Sequence, residues 1–353
     1  MKKMKRMLAL LLAVTVILSL AACGAKTVSE SEVVAISDVP ETTAAPETTA
    51  APETEAPKVS ANVMVLNGTT GFGMANLMDA AGKGESAQEY NFAVETDASN
   101  IVAALANGSV DIAALPTNAA STVYNKTQGK VQVLALNTLG VLYLVTDGSV
   151  EISSMADLAG QTVYAPAQNP TFIFQHIVQA NGLTDVTVDN TYAQPADLNA
   201  AVSAGEVSIA VLPEPMVTVA RSKNPELKVA LDLTAEWDKV SEPGSLVQGC
   251  VVVRKAFAEE NPSAIALFLQ EYGKSILDMT EDIEGTAAKI EANGIFTKAA
   301  VAAKAIPNCN VCFITGQEMQ ASLSEFFRVM FEVAPASVGG SIPGDDFYCV
   351  IVG

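Results

Sequence analysis

From Ser60 onward, short apolar runs alternate with longer segments in which apolar residues return every three or four positions. Val63-Met64-Val65-Leu66 has the pattern of a buried strand, and a helical segment reaching Ala80 follows the loop Asn67–Gly73. Asn91–Glu95 predicts a second strand, Asn100–Ala106 a helix, Asp111–Leu115 a strand and Asn118–Asn125 a helix. Val131–Leu136 and Val141–Val145 are further apolar runs of strand length. Strands alternating with helices predict βαβ units, an α/β fold and a mainly parallel sheet.

The pattern repeats. Ile101–Pro116 (IVAALANGSVDIAALP) returns 97 positions later as Leu198–Pro213 (LNAAVSAGEVSIAVLP), with 8 of the 16 aligned pairs identical. Each copy is a helix, a glycine that ends it, a strand and a proline turn. Val131–Thr138 parallels Lys228–Thr234, and Gly68–Met74 parallels Pro166–Phe172. An offset near 100 residues is about one domain length. The expectation is two similar α/β lobes joined by a hinge, with their loop-to-helix junctions facing one another across a ligand cleft.

Residues before this region follow other rules. Lys2, Lys3, Lys5 and Arg6 precede Met7–Leu20, an apolar run interrupted only by Thr15 and Ser19. That run is shorter than the roughly 20 residues of a bilayer span and has the layout of an export signal. Leu20-Ala21-Ala22-Cys23-Gly24 then resembles the bacterial lipobox, in which the cysteine is lipidated and becomes the new N-terminus. Residues 1–22 are thus expected to be a lipoprotein signal peptide, and 23–59 the lipidated Cys23 with a tether. The tether repeats Pro-Glu-Thr-Thr-Ala-Ala from Pro40, a composition that builds no core. Fully extended, its 18 repeat residues would span on the order of 55 Å.

The whole chain has 353 residues, with 20 basic against 39 acidic side chains. Its formal charge is −19, and removal of the four signal cations takes it to −23. Such a chain has no basic patch for nucleic acid. Half of its residues are hydrophobic, which excludes general disorder. Its one histidine, His176, lies at helical spacing among apolar residues and is expected to be a structural or surface residue rather than a catalytic base. Cys309-Asn310-Val311-Cys312 has metal-knuckle spacing but no second pair. Buried thiols are therefore expected first for Cys250, Cys309, Cys312 and Cys349, with a disulfide as the second reading and a metal as a distant third. Gly71-Phe72-Gly73 lacks the third glycine of a dinucleotide fingerprint, whose position is Asn76. No cofactor or metal is expected.

Ser154–Val163 carries an x-x-D-L-x-G-x-x-V pattern, and Phe257–Pro262 an F-x-x-x-N-P pattern. These segments resemble those of type 2 periplasmic-type binding proteins. The glycine-containing first loop and Ile112–Pro116 are similar to the branch handling nitrate, sulfonates, taurine and thiamine pyrimidine precursors. The resemblance spans about Asn62 to the C-terminus. It implies lobe 1 over 60–147 and 250–353, lobe 2 over 148–249, and crossings near Val145–Ser149 and Ser245–Val252. It also implies a solute-binding lipoprotein on the outer face of the bacterial cell membrane. Such a protein, expected to be a monomer, delivers a small molecule to an ABC permease and its ATPase and is not an enzyme.

The expected ligand residues are Asn67, Gly68, Thr69, Thr70, Phe72, Thr117, Asn118, Asn137, Gln168, Asn169, Thr171 and Glu214. Their loops contain no Lys or Arg. An anion clamp would need Lys58, Arg221 or Arg254 to fold in. Amides and hydroxyls with one carboxylate point instead to a neutral or weakly basic heterocycle, such as a thiamine pyrimidine precursor, rather than a sulfonate or nitrate. Two alternatives stay open: an enzyme of the same fold in pyrimidine-precursor metabolism, and a non-transport surface lipoprotein.

Overall fold

The computed structural model describes residues 58–349, all within the compact unit Ala56–Gly353. The signal peptide, Cys23 and the tether up to residue 57 lie outside the described residues. Lys58 and Val59, assigned above to the tether, already belong to the fold: Lys58 Nζ donates to the Ser86 carbonyl at 2.6 Å, and the Val59 carbonyl accepts from Glu89 N.

The strands are β1 (Ser60–Leu66), β2 (Glu89–Glu95), β3 (Ile112–Pro116), β4 (Val131–Leu139), β5 (Leu142–Thr146), β6 (Thr162–Tyr164), β7 (Thr187–Asp189), β8 (Ile209–Pro213), β9 (Lys228–Asp232), β10 (Val247–Arg254) and β11 (Val311–Ile314). They form two sheets, in the orders β2-β1-β3-β10-β4-β11 and β7-β6-β8-β5-β9. The internal repeat is visible here. In both sheets the first three strands pair in parallel, and the fourth runs antiparallel to its neighbours on either side. β3 and β8, the strands of the two repeat copies, each bury four residues and end on a half-buried proline. The helices before them, Ala98–Asn107 and Pro195–Ala204, both stop at a glycine in the left-handed region, Gly108 at φ 81° and Gly205 at φ 76°. A side chain there would strain the backbone, so each copy specifies its own helix end.

The fourth strand is exchanged between the halves. β5 follows the first lobe in sequence and completes the second sheet, while β10 follows the second lobe and completes the first. This corrects two expectations. The chain first crosses at Gly140–Val141, not near Val145–Ser149, because β5 belongs to lobe 2. The sheets are mixed rather than mainly parallel, because the exchanged strand enters each of them antiparallel. Apolar runs at Val131 and Val141 announce two strands equally well, and nothing in their pattern says that they join different sheets.

One buried cluster is continuous through both lobes on one side, from Val133 and Phe326 to Leu144, Phe174 and Trp237. The helix Gly316–Val333 carries Phe326 and packs against both β4 and the helix Asn169–Ala180 of the second lobe. On the opposite side the core is divided. Val63, Phe72, Phe268 and Ile295 belong to one cluster, and Tyr143, Leu212 and Val217 to another. The lobes are fused along one flank and only touch along the other.

Candidate functional site

The carboxyl ends of β1 and β3 in the first sheet, and of β6 and β8 in the second, each lead into a helix start. Gly68 begins the β1 junction with φ 86° and ψ −160°, a backbone open to glycine alone, and donates its N–H to the Ile295 carbonyl at 3.0 Å. The next residue makes the contact between lobes: Thr69 Oγ1 donates to the Glu214 carbonyl of the β8 junction at 3.4 Å. Asn137, buried near the end of β4, fixes the same loop by donating to the Thr70 carbonyl at 3.0 Å. Asn67 is exposed beside it. Four expected residues, Asn67, Gly68, Thr69 and Thr70, thus share one loop, which Asn137 braces and which meets Glu214.

The β6 junction occupies the place in the second lobe that Gly68–Thr70 holds in the first. Gln168 is exposed with φ 67°, a strained value for a side-chain-bearing residue. Asn169 is buried, and its Oδ1 has no hydrogen-bond partner. At the β3 junction Asn118 is half-buried, and its side chain has no partner among the described residues.

Three expected residues serve the fold instead. Phe72 is fully buried and meets Phe296 edge-on at 6.2 Å, so it offers no ring face to a ligand. Thr117 is fully buried, with its hydroxyl donating to the Val247 carbonyl at 2.8 Å. Thr171 donates to the Pro166 carbonyl and accepts from Asn190 Nδ2, both at 2.7 Å.

Glu214 turns its carboxylate onto the helix that follows it, Met216–Lys223, accepting from Thr218 N at 3.1 Å and Thr218 Oγ1 at 2.9 Å. Burial raises its pKa, opposed by these two bonds and by the charge of Arg221. It lines a cavity of about 520 Å³ on the flank where the core is divided. Tyr143, Thr218 and Arg221 come to this cavity from the second lobe, and Lys304 and Asn308 from the first. Tyr143 Oη donates across the lobes to the Asn308 carbonyl at 2.9 Å. Of the three cations weighed from sequence only Arg221 lines this cavity, since Lys58 bonds Ser86 and Arg254 pairs with Asp111 at 2.6 Å. Arg221 lies on the helix Met216–Lys223, which begins two residues after Glu214. Lys304 carried no sequence signal, because its helix lies outside the repeat.

Other chemistry sits elsewhere. His176 Nε2 lies 2.7 Å from Ser241 Oγ, and its ring centroid is 4.8 Å from that of Trp237. Cys250 and Cys309 are buried free thiols, and Cys312 and Cys349 are half-buried free thiols. Burial pushes the Cys312 thiol up to about 12. Among the described residues, no three His, Cys, Asp or Glu side chains are grouped to hold a metal ion. No described helix is long and apolar enough to cross a membrane.

Several solved structures share this architecture. An ABC transporter from Parabacteroides distasonis is 22% identical at a TM-score of 0.70, over 82% of this chain and 98% of that one. The periplasmic aliphatic sulphonate binding protein SsuA from Escherichia coli is 16% identical at 0.65, over 81% and 96%. The alkanesulfonate-binding protein SsuA from Xanthomonas axonopodis pv. citri, bound to MOPS, is 12% identical at 0.58, over 82% and 96%. At these identities the likeness establishes the fold. No curated protein matches the chain. The family model for the substrate-binding domain of the ABC-type glycine betaine transport system matches residues 74–306, well over half of the sequence. The chain therefore belongs to that family and is an ABC-transporter substrate-binding protein.

Proposed function

We propose that the protein captures a small, neutral or weakly basic polar heterocycle, such as a thiamine pyrimidine precursor, at the junction loops between its lobes. The observation that carries this reading is the unpartnered Asn169 Oδ1. A buried acceptor left unpaired costs roughly 1–3 kcal/mol, so a ligand N–H that reached it would recover that cost. Asn118 and Gln168 add amides with no side-chain partner among the described residues, and no junction loop contains a cation. A betaine, named by the family, favours aromatic faces for its quaternary ammonium. Phe72 and Trp237 are fully buried and present none, while Phe172 at the β6 junction is half-buried. A sulfonate or nitrate favours a guanidinium clamp, which these loops lack.

On this reading the Thr69–Glu214 contact belongs to a closed arrangement that the solute stabilises through its higher affinity for it. The protein acts as a binding subunit rather than an enzyme. It is exported, held to the membrane through Cys23, monomeric, and hands its ligand to a permease coupled to an ATPase. A thermal-shift panel tests the ligand class. An aminopyrimidine thiamine precursor is expected to raise the melting temperature saturably, while taurine and glycine betaine leave it unchanged. A rise with taurine or betaine alone overturns the assignment.

A further inference from the structure

The cavity beside Glu214 has a donor set of its own. Arg221 stands on the second-lobe helix Met216–Lys223, and Lys304 on the first-lobe helix Ala299–Ala305. These two helices touch across the divided flank. Both cations are exposed, both line the same 520 Å³ space, and neither is ion-paired among the described residues. In a chain with nearly twice as many acids as bases, two unpaired cations facing one cavity from opposite lobes are conspicuous.

We infer that this groove is a second ligand site, adjoining the β8 junction at Glu214, which binds a small oxyanion between Arg221 and Lys304 and so bridges the two lobes. The class follows from the donors. A guanidinium presents a planar fork to carboxylate, sulfonate or phosphate and an ammonium adds a point charge, while the hydroxyls of Thr218 and Ser222 already donate to Glu214 and to the Val219 carbonyl. Glu214 limits how deep the anion sits. Its carboxylate is bonded to Thr218 at the buried end of the groove, so an anion is repelled from there and held at the rim between the cations. A cavity of this size admits small organic oxyanions as well as inorganic ones.

The consequence is coupling. An anion touching both lobes favours the arrangement in which they meet, and by linkage it tightens the solute site by the same factor as the solute tightens the anion site. The groove does not depend on which solute the junction loops take.

Equilibrium dialysis of the full chain with labelled inorganic sulfate, at constant ionic strength and without solute, tests the site. One sulfate per chain is expected, with Arg221→Gln and Lys304→Gln each weakening binding about tenfold or more, the loss of one charge-assisted bond. Both side chains are exposed, so far-ultraviolet circular dichroism and the melting temperature should match the parent. Three results overturn the proposal: no saturable binding in the parent, unchanged binding in the double variant, or a loss confined to one of the two single variants.

Discussion

Residue by residue, the roles follow from partners rather than from residue type. Thr69, Thr117 and Thr171 all sit at junctions, yet one hydroxyl meets the opposite lobe while the other two serve nearby carbonyls. His176 is a case with a measurable consequence. It lies half-buried against Trp237, bonded to Ser241, with Glu325, Arg328 and Glu332 facing it from the helix Gly316–Val333. Burial lowers its pKa, opposed by Glu332 and Glu325. The unfolded chain therefore takes up the proton first as pH falls below about 6.5. Stability due to this group is complete above that pH and is lost on acidification. His176→Gln is expected to flatten this dependence: parent and variant melting temperatures should converge as pH falls from about 7.5 to about 5.5. A constant difference across that range would show that the ring carries no differential protonation. The positions of Glu214 and Asn169 were readable from the sequence, at the start of helices after predicted strands. Their states were not, because which lone pairs stay unpaired depends on side chains brought in from elsewhere in the chain.

At the scale of elements, the repeat made most of the architecture legible. Strand, helix and terminating glycine recur at a constant offset, and both sheets carry the same order over five strands, β11 being added to the first alone. The exchange of β5 and β10 was not legible, since strand-forming patterns do not encode which sheet a strand joins. The structure shows where this exchange constrains the sequence. A Cβ built on Gly140, at the crossing, would collide with Thr234 Oγ1 and meet Leu246 Cδ2 at 2.7 Å. Gly140→Ala is therefore expected to destabilise the protein by about 1–3 kcal/mol through overpacking. Urea denaturation checks this, and an unchanged midpoint would mean that the crossing has slack to repack. The shared core behind the crossing, with Trp237 and Phe326 centroids 6.1 Å apart, ties the lobes on one flank. The other flank, where Tyr143, Lys304 and Arg221 line the cavity, has no such shared core.

For the molecule as a whole, acidity and binding are separate matters. The charge of −19 argues against nucleic acid and leaves the solute open. On the reading proposed above, the solute meets two fused lobes whose junction loops contain no Lys or Arg. Two cations are held apart in the neighbouring groove. The central claim, capture of a neutral or weakly basic heterocycle at those loops, is tested most directly by isothermal titration calorimetry with an aminopyrimidine thiamine precursor. Saturable one-site binding is expected, weakened about tenfold or more by Asn169→Ala, which removes the unpartnered acceptor. Tight binding of taurine with no heat from the pyrimidine would contradict it.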